Sequence, residues 1–231
     1  MTTAPAPTAS PELVRRVVSR FALAAPVMAL MFFVPAGTWR YWEAWVYMAV
    51  LLVPLVFAGW YLLKNEPDLL ERRMRLREKE AQQRRILSVS LIPFLLAFLL
   101  PGFDHRFGWS HVPTAVVLGA DALVFLGYMF VLLVFRENRY ASRVVEVEAG
   151  QQVISTGPYS LVRHPMYLGT LLMYLLSPIA LGSYWAALCA LPLIWVIVAR
   201  IGNEETVLLR DLAGYAEYRR RVRYRLIPGV W

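Results

Sequence analysis

Apolar residues are gathered along this chain into five long runs, which short polar stretches separate. The runs are Phe21–Ala36, Ala44–Leu63, Ile86–Phe103, Thr114–Phe135 and Met166–Ile197. A helix needs about 20 mostly apolar residues to cross a bilayer, so each of the first four runs predicts one membrane helix. The fifth run would be about 48 Å long as a single helix, whereas the hydrocarbon core is about 30 Å thick.

The fifth run therefore predicts two helices that fold back on each other. Ser177-Pro178 and Gly182-Ser183 lie near its middle, and both pairs are of the kind that interrupts helices. We predict an all-α fold: a polytopic membrane bundle of about six transmembrane helices, the last two forming a helical hairpin, with interfacial cytoplasmic helices beside them.

Composition and charge agree with a membrane protein. Hydrophobic residues make up 58% of the chain and charged residues only 17%, whereas soluble domains average about 25% charged residues. All Lys and Arg residues except Arg40 and Arg106 fall on one side of the predicted bundle. The positive-inside rule assigns that side to the cytoplasm, with both termini there, and in a prokaryote the membrane would be the cell membrane. Topology and anionic lipids account for the net charge of +8, so no nucleic-acid partner is expected.

The polar segments also carry predictions. Residues 1–11 are rich in Pro, Ala and Thr and predict a disordered tail, and residues 12–231 predict one domain. The segment 64–85 predicts an interfacial helix. A glycine turn within 144–154 predicts a short pair of strands, and 203–226 predicts an amphipathic, arginine-rich helix. The first apolar run could also be a secretory signal, although retaining it keeps the charge alternation consistent.

Little in the sequence favours a metal. Cys189 is the single cysteine, so neither an intrachain disulfide nor a thiol-rich metal site is possible. His105 and His111 flank the predicted outer loop and have no obvious third ligand. We expect no metal cofactor.

Two polar clusters bracket the predicted hairpin. The first contains Gly157-Pro-Tyr159 and Arg163-His164-Pro165-Met-Tyr167-Leu-Gly169, and the second contains Arg200 and Glu204-Glu205. A hairpin brings its two ends to the same membrane face, so the clusters should meet. Tyr215-x-x-Tyr218 and Arg225-Leu-Ile-Pro228 follow in this order.

This order of motifs resembles the isoprenylcysteine carboxyl methyltransferase family and the wider phospholipid methyltransferase-like group. The resemblance covers roughly residues 138–228 and implies an integral membrane enzyme that uses S-adenosylmethionine. It implies cofactor contacts from Tyr159, His164, Pro165, Tyr167 and Glu204. It also implies a backbone strip along the cofactor, here Gln151, Gln152, Val153 and Ile154. Arg200 would face an acceptor carboxylate.

The chemistry of the cofactor agrees with these residues and extends the set. Arg163 or His164 could meet its carboxylate, and Glu204 or Glu205 its ammonium or ribose hydroxyls. Aromatic rings attract a sulfonium or stack on adenine, and Gly169 allows a close approach. No catalytic residue is assigned, because a carboxylate acceptor needs no base. His164 is a weak candidate for an acceptor that must lose a proton.

The most similar function is isoprenylcysteine carboxyl O-methylation, with a lipophilic small molecule or a lipid-linked group as acceptor and membrane lipids as surroundings. Three alternatives stay open: methylation of a phospholipid amine or a small thiol, a NADPH-dependent sterol reductase-like activity, and a non-catalytic membrane protein. Met166 and Thr170 stand where the reductases typically carry Asn and Asp, which disfavours the reductase. The chain also lacks G-x-G, the signature of a soluble dinucleotide-binding loop.

Overall fold

The computed structural model describes residues 9–74, 80–138, 140, 147–148 and 150–231, and these ranges contain helices and no strand. The helices are α1 (Pro11–Ala36), α2 (Trp42–Asn65), α3 (Pro67–Met74), α4 (Ala81–Phe107), α5 (Thr114–Glu137), α6 (Pro165–Ala180), α7 (Tyr184–Ala190), α8 (Pro192–Asp211) and α9 (Tyr215–Arg221). A 3₁₀ turn spans Gly157–Ser160. The predicted all-α fold class is confirmed.

The long helices have the dimensions of membrane spans. Helices α1, α2, α4 and α5 and the stretch Tyr184–Asp211, which joins α7 and α8, are each long and apolar enough to cross a membrane. Helix α6 is apolar but has only 16 residues. The chain is therefore an integral membrane protein, with five long apolar stretches and one shorter helix in its described part.

The first helix begins earlier than the apolar run predicts, at Pro11 rather than Phe21. Ser10 accepts a hydrogen bond from the backbone N–H of Leu13 at 3.1 Å, and Pro11 occupies the first helical turn, where its missing N–H costs nothing. Leu13 is buried against Leu70 of α3. Pro11, placed in the predicted disordered tail, is thus helical, and residues 1–8 lie outside the described residues.

Helices α6 to α8 form the predicted hairpin, and the chain turns at residues 181–183. Gly182 takes a left-handed conformation there (φ 77°), and the Ser183 hydroxyl caps α7. Pro178 does not break the chain direction, since it lies inside the last turn of α6. Of the two predicted breaking points, only the second turns the chain.

The turn of the hairpin is hydrogen-bonded to the end of α4 and to Tyr41, the residue before α2, and we call this contact the hairpin latch. Asp104 is buried near the end of α4 and accepts hydrogen bonds from the hydroxyls of Ser110 and Ser183 and from the Ser110 N–H. Tyr41 donates a hydrogen bond to the carbonyl of Leu181. The latch fixes the closed end of the hairpin, and leaves its open end to form the site.

Helix α6 packs closely on α5 because two glycines face each other. A Cβ on Gly169 would lie 2.9 Å from the carbonyl oxygen of Gly127 and 2.7 Å from Val131. One turn and a half earlier in α5, Asp121 is buried, and neither of its carboxylate oxygens has a hydrogen-bond partner among the described residues.

The polar segments follow the predictions in part. The interfacial segment contains α3, and residues 75–79 lie outside the described residues. The predicted strand pair is not tested as a whole, because residues 141–146 lie outside the described part, but 150–154 form no strand. The arginine-rich segment is not one helix: α8 ends at Asp211, and Gly214 (φ 82°) turns the chain into α9.

Candidate functional site

The loop before α6 is held against the end of α5. Thr156 donates a hydrogen bond to the carboxylate of Glu137. Gly157 has a positive φ of 54°, and a Cβ there would lie 2.9 Å from the Glu137 side chain. The 3₁₀ turn that follows carries Tyr159, and Pro165 then opens α6. This local structure brings Tyr159, Arg163 and His164 to the open end of the hairpin.

Glu205 of α8 is the centre of a buried ionic network. Its carboxylate accepts hydrogen bonds from Arg163 Nε at 2.7 Å and from Arg225 Nε at 3.0 Å, and His164 Nε2 lies 3.3 Å away. The side chains of Arg163, His164 and Glu205 are all under a tenth exposed. This network joins both arms of the hairpin to the C-terminal segment.

Backbone hydrogen bonds also connect the C-terminal segment to the Arg-His motif. The N–H groups of Arg163 and His164 donate to the carbonyls of Tyr224 and Arg225, each at 2.9 Å. The Arg163 guanidinium also donates to the carbonyls of Val222 and Arg223. Because the Arg163 side chain donates hydrogen bonds to Glu205 and to these two carbonyls, it connects the loop before α6 with α8 and with the C-terminal segment.

Glu204, in contrast, reaches the cleft. It accepts a hydrogen bond from the Tyr167 hydroxyl at 2.6 Å, and His164 Nδ1 lies 3.9 Å from it. Arg200, one turn earlier in α8, donates from Nε to the same Tyr167 hydroxyl at 2.9 Å. The Glu204 side chain is 23% exposed, compared with 4% for Glu205, so the two neighbours have different surroundings.

Three further tyrosines, Tyr159, Tyr215 and Tyr218, line the cleft. Asn138 donates a hydrogen bond to the Tyr159 hydroxyl at 3.0 Å, and Tyr218 of α9 donates to the Tyr159 carbonyl at 2.8 Å. The hydroxyl of Tyr215 is buried and has no hydrogen-bond partner among the described residues. A buried polar group without a partner costs free energy, which a ligand in the cleft can recover.

Burial keeps these tyrosines protonated. It raises the pKa of Tyr159 to about 12, and the Asn138 hydrogen bond opposes this only in part. Burial also raises the pKa of Tyr215 and of Tyr218 above the ordinary tyrosine value. At neutral pH the three hydroxyls are therefore hydrogen-bond donors and not bases.

The cleft contains about 830 Å³ of empty space, its open mouth included. The residues that line it come from the loop before α6, from both arms of the hairpin and from the C-terminal segment: Asn138, Tyr140, Gln151, Gln152, Val153, Ile154, Tyr159, Arg163, His164, Met166, Tyr167, Arg200, Glu204, Leu208, Leu212, Tyr215 and Tyr218. Within the described ranges, no group of three or more His, Cys, Asp or Glu side chains is placed to hold a metal.

Most of the residues expected from the sequence meet in this cleft. Three of the expected cofactor contacts, Pro165, Gly169 and Glu205, do not line it. Pro165 is buried at the start of α6, and Gly169 faces α5, where its missing Cβ permits helix packing. Glu205 lies behind the cleft in the ionic network.

The sequence interpretation gave no role to several lining residues. Tyr215 and Tyr218 were part of the motif order, and Leu208 and Leu212 lie on the apolar stripe of the same segment, so a signal existed for each. Asn138 carried no signal, because its contact with Tyr159 depends on how α5 ends.

Comparison with known protein families finds a similarity over part of the chain. The sequence model of the family described as phospholipid methyltransferase matches residues 115–213, from α5 to the end of α8 and just beyond. The matched range contains the Arg-His motif, Tyr167, Arg200 and the glutamate pair. None of the curated proteins compared with the chain matches it.

Proposed function

We propose that the chain is a membrane methyltransferase that transfers a methyl group from S-adenosylmethionine to a lipophilic acceptor, a proposal that the match of residues 115–213 to the phospholipid methyltransferase family model supports. The observation that carries this proposal is the cleft at the open end of the hairpin. One carboxylate, Glu204, lies there beside His164, Tyr167 and a wall of tyrosines. Methyl donor and acceptor must meet at such a place if the acceptor lies in the membrane.

The residues of the cleft fit the proposed methyl donor. Glu204 supplies a negative charge for an ammonium group or ribose hydroxyls. The Tyr215 hydroxyl, buried and without a partner among the described residues, is a donor for a carboxylate or a ring nitrogen. Tyr159 and Tyr218 offer aromatic surface for adenine or for a sulfonium. Gln151–Ile154 line the same cleft and supply backbone groups.

When bound, S-adenosylmethionine supplies an activated methyl group on a sulfonium, and the carbon–sulfur bond breaks as the acceptor's lone pair forms the new bond. The protein's part is to place the two molecules. Holding reactants in near-attack geometry contributes about 7–11 kcal/mol in favourable cases. Arg200, on the cleft wall and hydrogen-bonded to Tyr167, supports an anionic acceptor. A carboxylate is already ionised and needs no base, as in isoprenylcysteine carboxyl O-methylation.

Methylation of a phospholipid amine is the second candidate, and the description of the matched family favours it. An ammonium acceptor must first lose a proton. His164, whose Nδ1 lies 3.9 Å from Glu204, is the imidazole in the cleft that is placed to take it. The family match supports a methyltransferase over the reductase and over a protein without catalytic activity.

The test has two stages. Binding of S-adenosylmethionine is measured by calorimetry in detergent for the wild type, for Glu204→Gln and for the control Glu217→Gln, which changes an exposed carboxylate of α9. We expect Glu204→Gln to weaken binding roughly tenfold to a hundredfold, since a hydrogen bond to a charged group contributes about 1.5–3 kcal/mol. Equal affinities for all three proteins would overturn the site.

The acceptor is then identified with methyl-labelled cofactor and two lipophilic substrates, a prenylated cysteine with a free carboxylate and phosphatidylethanolamine. Mild alkali releases the label from a methyl ester as methanol and leaves an N-methyl group in place. We expect alkali-labile label, and we expect Arg200→Gln to raise the KM for the carboxylate while the cofactor Kd changes little. Alkali-stable label on the phospholipid would favour the second candidate instead.

A further inference from the structure

The C-terminal segment has two faces of opposite character. Tyr215, Tyr218, Val222 and Leu226 are buried against the cleft and the hairpin. Its outward side carries an arginine face, which consists of Arg219, Arg220, Arg221 and Arg223. All four are exposed, and within the described part of the chain no hydrogen bond or ion pair of their side chains is found.

These four arginines differ from Arg210, a nearby exposed arginine that has acidic partners. Arg210, at the end of α8, is also exposed, but it pairs with Asp211 at 2.7 Å and with Glu80 at 3.2 Å. On α9 itself, Glu217 is the one acidic residue, and it is exposed without an ion pair in the described ranges. The arginine face therefore carries an excess of positive charge that the described residues do not neutralise.

The arginine face follows the last candidate membrane span closely along the chain. Helix α9 starts four residues after the membrane-spanning stretch Tyr184–Asp211 ends. Tyr224, Ile227 and Val230 follow the arginines and are exposed, Val230 by 76%. Exposed apolar and aromatic residues next to arginines are typical of segments that lie in the headgroup region, where apolar side chains reach the acyl chains and arginines meet phosphates.

We propose that the arginine face binds the anionic headgroups of phospholipids in the surrounding bilayer, and that this binding stabilises the cleft in the form that holds the methyl donor. The first half of the proposal stands on charge and position alone. The second half rests on the proposed function.

The contacts of the inner face connect the two events. Tyr215 and Tyr218 line the cleft, and the Tyr218 hydroxyl donates a hydrogen bond to the Tyr159 carbonyl at 2.8 Å. The carbonyls of Val222 and Arg223 accept hydrogen bonds from the Arg163 guanidinium at 2.8 and 2.9 Å. The segment that carries the arginines is therefore also a wall of the cleft. Headgroups that fix its outer face restrict the motion of its inner face, and a ligand then loses less entropy on binding.

The experiment uses the whole protein in nanodiscs of phosphatidylcholine alone or mixed with phosphatidylglycerol. Contact is read from the rate of tryptic cleavage after Arg223, at low and at high salt, and cleft stability from the Kd of S-adenosylmethionine. The test variant is R219Q/R220Q/R221Q, which keeps Arg223 as the cleavage site. The matched control, R15Q/R85Q/R136Q, removes three exposed charges from the same predicted membrane face.

We expect phosphatidylglycerol to slow cleavage and to tighten donor binding in the wild type and in the control, and high salt to reverse both effects. Each arginine near an anionic surface contributes about fivefold in binding, so the test variant should lose most of the effect. Inorganic phosphate added to phosphatidylcholine discs should not protect. Equal protection by free phosphate would replace the lipid surface with a soluble anion and overturn the proposal.

The remaining outcomes distinguish headgroup binding, its coupling to the cleft and the proposed function from one another. Equal cleavage rates in both lipids would overturn headgroup binding, whatever the activity. Protection by phosphatidylglycerol without a change in donor affinity would overturn the coupling to the cleft. Lipid-dependent protection together with no donor binding in either disc would refute the proposed function and leave the headgroup contact standing.

Discussion

Neighbouring glutamates of α8 should respond differently to the same substitution: Glu205→Gln should lower the stability of the fold, and Glu204→Gln should weaken donor binding. Glu205→Gln removes the negative charge that Arg163 and Arg225 share in the buried network, and it points an amide donor at guanidinium donors. Removing one partner of a buried ion pair costs about 3–5 kcal/mol. We expect the low end, about 3 kcal/mol, since the Arg225 side chain is 31% exposed and water screens it.

The assay is a thermal unfolding scan in detergent, run beside donor binding. For a chain of this length, about 3 kcal/mol lowers Tm by about 6–12 °C. Glu204→Gln should shift Tm by little, because Tyr167 can still donate to the amide oxygen and the side chain borders the cleft. Glu217→Gln is the control for both scans. If Glu205→Gln unfolds at the temperature of the wild type, the buried network does not hold the site together.

Three further predictions concern packing and single hydrogen bonds. Gly169→Ala should destabilise the fold by about 1–3 kcal/mol, because its new Cβ would clash with α5. Gly119→Ala is the control and should be tolerated, since open space surrounds that position. Thermal unfolding scans of the two variants test the difference. Tyr218→Phe should weaken donor binding about fivefold in calorimetry, since it releases the Tyr159 carbonyl. Asp121→Asn should leave Tm and activity unchanged, and lost activity would give Asp121 a role.

The hydrophobic pattern predicted the membrane helices and the hairpin, because the run length and the breaking residues both follow from bilayer dimensions. The pairing of the two polar clusters followed from the hairpin alone. The start of α1 at Pro11 was missed, because its first turns are largely polar and only Leu13 and Val17 pack against Leu70 of α3. The sequence pattern of 203–226 did not show that Gly214 bends the chain.

The roles of individual site residues were less accessible to sequence reasoning. Glu204 and Glu205 are adjacent and chemically identical, and only the fold turns one toward the cleft and the other toward Arg163. Gly169 stands within the motif, yet its missing Cβ serves contact with Gly127. Such distinctions depend on the helix face that each residue occupies, which the order of residues does not reveal.

The hairpin latch has a consequence for how distant substitutions affect the geometry of the cleft. Helix α6 separates them by 16 residues, which is about 24 Å at 1.5 Å per residue. Asp104 holds Ser183 at the closed end, so we expect a loosening of this contact to change the angle between the two arms and with it the distance from His164 to Glu204. Substitutions at this distant contact are therefore expected to weaken the proposed methyl transfer although none of them touches either reactant.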